Sequence, residues 1–241
     1  MRAAAGEFVA PPAGGRVFAH PVAAGLADVA PSGRARLDAI ARWLQDAALA
    51  DVVDSGLDRG GVWVLRRLRM CVERFPRFGA ALRVETFCSG VGALVAERRS
   101  TVLDPAGAAV EAVALWVHLD PGGAHPRPLP AGFEAVYGPS AAGRRVRARL
   151  RHASAPPPGV PVAPWRFRAA DLDLAGHVNN AVYWQVLEEE LVPAGSEPAR
   201  IDAEIEHRAA ADAGDAQVAA AHGMHWVSAG DEVVATIRVA D

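Results

Sequence analysis

One plan occurs twice in this chain, and a chain that repeats a plan folds as like units that bury a face against each other. Gly33 and Gly176 each precede a helix-like stretch. Seven residues on lie Ile40 and Tyr183, eleven on lie Leu44 and Leu187, and thirteen on lie Asp46 and Glu189. Each stretch leads into strand-like segments, 62–72 in the first copy and 199–207 in the second.

The first copy is the easier to read. Leu37, Ile40, Ala41, Leu44, Ala47, Ala48 and Val52 recur at steps of three and four, and Gly56 closes the pattern. The period then changes to two over 62–72, 81–87, 93–102 and 109–119, with the last two joined by the turn Asp104 to Gly107. A short strand is expected over 16–22, and 232–239 reads as a final strand. One long helix followed by antiparallel-looking strands is an α+β plan. Residues 1–15 are rich in Ala, Pro and Gly and are expected to be loose. Residues 121–162 read mostly as a connection, which gives an N-terminal unit over 1–130, a linker over 131–162 and a C-terminal unit over 163–241.

Composition excludes several classes. Apolar residues make up 51% of the 241, too many for a disordered chain. A net charge of −3 gives no reason to expect nucleic acid as a partner. The arginines 144, 145, 147, 149 and 151 are read as a solvated face, with an acidic carrier protein as another occupant. No apolar run reaches the length of a membrane span, and the N-terminus lacks the apolar centre of a secretion signal. Cys71 reads as a small buried hydrophobe in a strand, and Cys88, before Ser89 and Gly90, as lying near a turn; neither has an activating histidine nearby. A reduced, cytoplasmic protein is the expectation.

The chemistry concentrates in the second copy. Residues 171–190 pass from a polar loop into an apolar-periodic helix, with Tyr183, Val186, Leu187 and Leu191 on one face and Pro193 after it. Asn179 or Asn180 suits the N-cap. Asp173 and His177 stand just before it. An acid, an imidazole and a helix end with free N–H groups suit hydrolysis of an activated carbonyl. The first copy has Ala30 and Arg34 where the second has Asp173 and His177. One reactive site per chain follows, with the first copy as structural partner.

The run Asp171, Asp173, His177, Val178, Asn179, Asn180, Tyr183 resembles the motif of fatty acyl-ACP thioesterases, within the wider hotdog thioesterases. Residues 36–48 resemble that family's first helix, 63–69 and 76–79 its next strand and turn, and Trp116 to Asp120 a later strand. The resemblance spans about 16–210. It implies two hotdog units in tandem, each wrapping an antiparallel sheet around a central helix. It also implies hydrolysis of the thioester that links a fatty acyl chain to acyl carrier protein, with no metal or bound cofactor. The two units already pair within one chain, so a monomer suffices, and such units also form homodimers. Ala175 stands where plant members have Asn, and Ala210 and Ala211 stand where they have a Glu-Cys pair. The plant mechanism therefore does not carry over in detail.

Each candidate has a plainer reading. Asp173 is expected to act as general base or nucleophile, with a pKa raised at an apolar tunnel mouth; otherwise it is a loop Asp in an Asx-turn. His177 is expected to orient the acid, polarise the carbonyl or carry a proton; otherwise it is a histidine satisfied at a helix start. Asn180 offers its backbone N–H to an oxyanion, and Asn179 caps the loop. Glu189 is read as a structural acid. His222 and His225 are read as surface histidines, and no Gly-x-Ser-x-Gly elbow is present. An acyl-CoA thioesterase of the same fold and a non-catalytic acyl-chain binder are the alternatives. A hotdog dehydratase is disfavoured by the order of acid and histidine.

Overall fold

The periodic face of the first helix is real. In the computed structural model, which describes residues 8–57, 60–123, 125–193 and 197–240, α1 (Leu37–Asp54) has 18 residues, about 27 Å at 1.5 Å each. Leu37, Ile40, Ala41, Leu44, Ala47 and Ala48 are buried. The alanines let the helix lie close on the sheet beneath it. Gly56, at φ +68°, ends it in a left-handed turn.

The strands are β1 (Phe18–Ala23), β2 (Val62–Val72), β3 (Ala81–Val91), β4 (Val95–Asp104) and β5 (Gly107–Leu119), then β6 (Val162–Phe167), β7 (Ile201–His207), β8 (Gly214–Ala221), β9 (Met224–Ala229) and β10 (Glu232–Val239). They form one ten-stranded sheet in the order β1-β3-β4-β5-β2-β7-β10-β9-β8-β6. Read inward from either edge, the order within each copy is the same: first strand, third, fourth, fifth, second. The copies join where β2 and β7 run antiparallel, with Leu68 opposite Ile205, Met70 opposite Ala203 and Arg67 opposite Glu206. Strand alternation sends the first two pairs to the helix face and the charged pair to the outer face. One apolar core runs across the join, taking in Ile40, Leu44, Met70, Tyr183, Trp184 and Ile205. This is the tandem hotdog arrangement that the resemblance implies.

The second helix is shorter than expected. It starts as a 3-10 turn, Val182–Trp184, and continues as α3 (Gln185–Leu191). The hairpin β8–β9 falls where no strand was predicted, because its Ala-rich run shows little alternation.

Between the copies, the stretch read as a connection also builds structure. Its α2 (Phe133–Ala141) packs Phe133 and Tyr137 against Cys88, Val91 and Ala96. From Arg144 the chain crosses the outer face of the sheet as a strap. Val146 covers Val95, Leu115 and Val117. The backbone N–H groups of Arg151 and His152 donate to Glu206 at 2.6 and 3.1 Å. The His152 ring sits 3.1 Å from both Glu204 and Thr236. Burial works against ionisation of Glu204, but His152, Arg67 and Arg238 outweigh it and hold its pKa below the ordinary carboxylate value.

Several smaller expectations need correction. Cys88 lies inside β3, where a bulge next to it, between Cys88 and Gly90, lets the strand continue past the turn-like Ser89-Gly90. His225 is buried, with Nε2 2.9 Å from Glu190, whereas His222 is exposed. Of the loose stretch expected over 1–15, residues 1–7 lie outside the described residues. Phe8 is packed between the guanidinium groups of Arg69 and Arg99, 5.1 and 4.8 Å from its ring. Of the arginine run, Arg145, Arg147, Arg149 and Arg151 are exposed as the solvated-face reading expects, while Arg144 is half-buried and pairs with buried Glu97.

Candidate active site

The repeat extends to single hydrogen bonds. In the first copy, Gly33 N–H donates to Ala30 O at 2.8 Å and Ala30 N–H to Arg34 O at 2.8 Å. In the second, Gly176 N–H donates to Asp173 O at 2.9 Å and Asp173 N–H to His177 O at 2.8 Å. Arg36 N–H donates to Asp28 O at 2.8 Å, and Asn179 N–H to Asp171 O at 2.9 Å. The glycines sit at φ +81° and +79°, a conformation that costs a side-chain-bearing residue energy. One loop geometry thus carries two different sets of side chains.

The second loop places the four predicted residues within one turn and helix start. Asp173 is half-buried, and its Oδ1 accepts the N–H of Ala175 at 2.8 Å, the Asx-turn of the plainer reading. Leu174, Ala175, Gly176 and His177 are exposed, so the carboxylate is not sunk in an apolar mouth. The His177 imidazole makes no hydrogen bond with Asp173 or any other described residue; only their backbones are joined. Asn179 acts as a cap, with Oδ1 accepting Ala181 N–H at 2.9 Å. The backbone N–H of Asn180 has no acceptor among the described residues. Ala210 and Ala211 adjoin this loop, because Val178 N–H donates to Ala211 O at 2.8 Å.

The first loop is closed by charge. Arg34, 2% exposed, makes a two-pronged ion pair with Glu188 of α3 at 3.0 and 2.7 Å. A second acid, Glu197, lies 3.2 Å from its Nε. Its guanidinium also stacks over Phe75 at 4.9 Å. Phe75 precedes Pro76, whose carbonyl accepts Ala35 N–H as that of Ala211 accepts Val178 N–H. Phe75 and Ala210 therefore hold equivalent places. Glu188 Oε1 also takes the N–H of Leu37, the first residue of α1, at 2.7 Å. Leu37 and Asn180 each stand four residues after the repeat glycine, so the N–H that binds a carboxylate in one copy is unbonded in the other.

Neither Glu188 nor its counterpart Gln45 was singled out from sequence. Both stand one residue before the Asp46 and Glu189 pair, so the repeat carried the signal. What it lacked was burial: Glu188 is buried, while Asp46 and Glu189 are exposed. Gln45 crosses between the copies in the opposite sense, its Nε2 3.5 Å from Asn179 Oδ1.

Beside Gln45 an apolar slot runs between α1 and the sheet, walled by Ala41, Leu44, Ala48, Leu68 and Trp116, with Arg98 also on its lining. Its open volume is about 10 Å³, room for about one water. A larger cleft of about 590 Å³ lies on the outer face, lined by Arg67, Glu97 and the arginines of the strap. Strand alternation puts it on the far side of the sheet from the slot. His152, Glu204 and Glu206 bring three potential metal-ligand atoms within 4.8 Å of one another. They are already engaged by each other, Thr236, Arg67, Arg238 and Arg208.

Four potential nucleophiles or bases elsewhere in the chain are shifted by burial. Burial pushes the thiols of Cys71 and Cys88 up to about 11, so both are protonated at neutral pH. His207 lies edge-on to Tyr183 at 5.2 Å. Its burial, helped by Arg66, lowers its pKa to about 3. Burial alone raises that of Tyr183.

The tandem hotdog fold has counterparts among known proteins. The acyl-ACP thioesterase N-terminal domain matches residues 16–137, and the acyl-ACP thioesterase C-terminal domain matches 161–228. The chain belongs to the acyl-ACP thioesterase family, and it is a thioester hydrolase. Two uncharacterised proteins from strains of Mycobacterium tuberculosis are each 22% identical over 205 residues, covering 85% of this chain and 82% of theirs. The fold is shared with a 12:0-ACP thioesterase from Umbellularia californica (21% identity, TM-score 0.74) and an acyl-ACP thioesterase from Bacteroides thetaiotaomicron (20%, TM-score 0.76). Each alignment covers 92% of this chain and 96% of the other. Among the described residues no helix is long and apolar enough to cross a membrane.

Proposed function

We propose that the loop 173–180 carries out the hydrolysis, on a fatty acyl group delivered by acyl carrier protein, with the acyl chain laid in the slot beside α1. One observation carries the reading. The Leu37 N–H binds a carboxylate oxygen at 2.7 Å in the first copy, and the second copy offers the same donor, Asn180 N–H, in the same loop geometry to a substrate oxygen.

In this reading water attacks the thioester carbon and Asp173 takes its proton through Oδ2, since Oδ1 is held by Ala175. The carbonyl oxygen becomes an oxyanion against Asn180 N–H, with His177 as second donor from the exposed side. A preformed donor of this kind contributes about 3 kcal/mol in sites where one has been removed. Collapse breaks the C–S bond, and the departing thiolate takes the proton back from Asp173. The products are a carboxylic acid and a free thiol. No step needs a metal or cofactor. The slot walls, Leu44 and Trp116 among them, must part to admit a chain, because the open volume holds only about one water.

Free-thiol release from acyl-ACP and acyl-CoA across chain lengths tests this, with Asp173→Asn as control. Faster release from acyl-ACP, lost in the variant, is expected. Equal rates on acyl-CoA would transfer the reading to a CoA thioesterase. An unaffected variant would remove Asp173 from the chemistry.

A further inference from the structure

We infer that Gln45, on the central helix of the first copy, is a positioning residue for the reaction in the second copy, so that the single site is built from both halves; this rests on the function proposed above. Three observations converge on this side chain. Its carboxamide donates to Asn179 Oδ1 at 3.5 Å, the same oxygen that accepts Ala181 N–H at 2.9 Å. It lines the apolar slot. It holds the place in the repeat that Glu188 holds in α3, and Glu188 reaches across the join to the first N–H of the opposite helix.

The chemistry of the two side chains separates their roles. A carboxylate at this place takes the N–H for itself, as Glu188 takes that of Leu37. A carboxamide is neutral and can donate. It steadies Asn179, the residue whose peptide bond to Asn180 carries the proposed oxyanion donor, and leaves that donor to the substrate. Gln45 therefore acts through Asn179 and sets the direction of one N–H at the point where the acyl slot meets the reacting loop. The first copy shows what a charged residue does there: it fills the site with an ion pair.

The test compares Gln45→Met, which keeps the bulk and removes the carboxamide, and Gln45→Glu, which copies the sister residue, using acyl-ACP and thiol release over pH 5–9. Gln45→Met is expected to lower kcat about tenfold, the scale of a misdirected group, with KM within about threefold and the shape of the wild-type pH profile kept. Gln45→Glu is expected to lose activity as pH rises, because the ionised carboxylate competes for Asn180 N–H and repels the oxyanion. It should recover toward low pH, where the protonated acid can again donate to Asn179. An active wild type whose two variants keep kcat and pH profile, or change KM alone, would overturn the inference while leaving the thioesterase reading intact. A wild type that releases no thiol would instead overturn that reading. Thermal unfolding of both variants near the wild-type midpoint shows that the fold is unaffected.

Discussion

The two copies share a loop, a helix start and a strand order, yet they put the same backbone to opposite ends. In the first, Arg34, Glu188, Glu197 and Phe75 close the loop, and Leu37 N–H is bound. In the second, His177 is exposed, Gln45 replaces the acid, Ala210 replaces the aromatic ring, and Asn180 N–H is unbonded. Duplication gave two equivalent places for chemistry. The ion pair makes one a fastener between the halves, and the other keeps an unbonded N–H, the place proposed above for the reaction. A buried charge pair serves as a fastener only while both partners are present, since either alone is a desolvated charge.

The largest effect should come from the loop 173–180, where the reaction is proposed. Asp173→Asn is expected to lower thiol release by at least about 100-fold, the low end for loss of a general base, with the unfolding midpoint unchanged. A similar loss from an acid installed in the first copy's loop, at Ala30, would break the distinction drawn here. Next comes the fastener. Glu188→Ala should destabilise the fold by about 3–5 kcal/mol, the usual cost of stranding one member of a buried pair, read from denaturant midpoints. Gln45→Met at the mirrored place should cost less than about 1 kcal/mol, because it strands no charge. His177→Ala should reduce kcat about tenfold and leave stability unchanged, as its imidazole is exposed and makes no hydrogen bond with a described residue.

A smaller difference between the copies is a matter of pH. His207 stands where the first copy has buried Val72, counting back from Ala211 and Pro76. Its folded pKa of about 3 lies below the ordinary histidine value of 6.5. The unfolded chain therefore takes up a proton that the folded one refuses. The stability this group contributes is fully present above about pH 6.5 and declines as pH falls toward 3. Urea midpoints at pH 7.5 and 4.5 should show that decline, and His207→Val should flatten it. Glu204 acts at lower pH: its depressed pKa means that its contribution is lost only as pH falls below the ordinary carboxylate range.

Much of this was legible without coordinates. The α1 face, the turn at Asp104 to Gly107, the last strand, the asymmetry of Asp173 against Ala30 and the cap at Asn179 all follow from side-chain period and local hydrogen bonding. The hairpin of β8 and β9 was not, because alanine marks neither face clearly. The strap was not, because its arginines read as solvated while its backbone N–H groups reach Glu206. Asp173 bonds Ala175 as its plainer reading foresaw, and the apolar surroundings expected for it are absent.

By itself the sequence determined that there are two copies, where the first long helix begins, and which copy bears an acid and an imidazole. Backbone sterics and the periodicity of burial set those features within a few residues. Only the tertiary structure decided that Glu188 reaches the first helix and Gln45 the second, that Arg34 is buried, and that the slot lies in one half and the loop in the other. Those contacts join residues 151 and 134 positions apart. They arise because β2 and β7 pair at the centre of one sheet and bring two helix starts face to face, an outcome that no local pattern encodes.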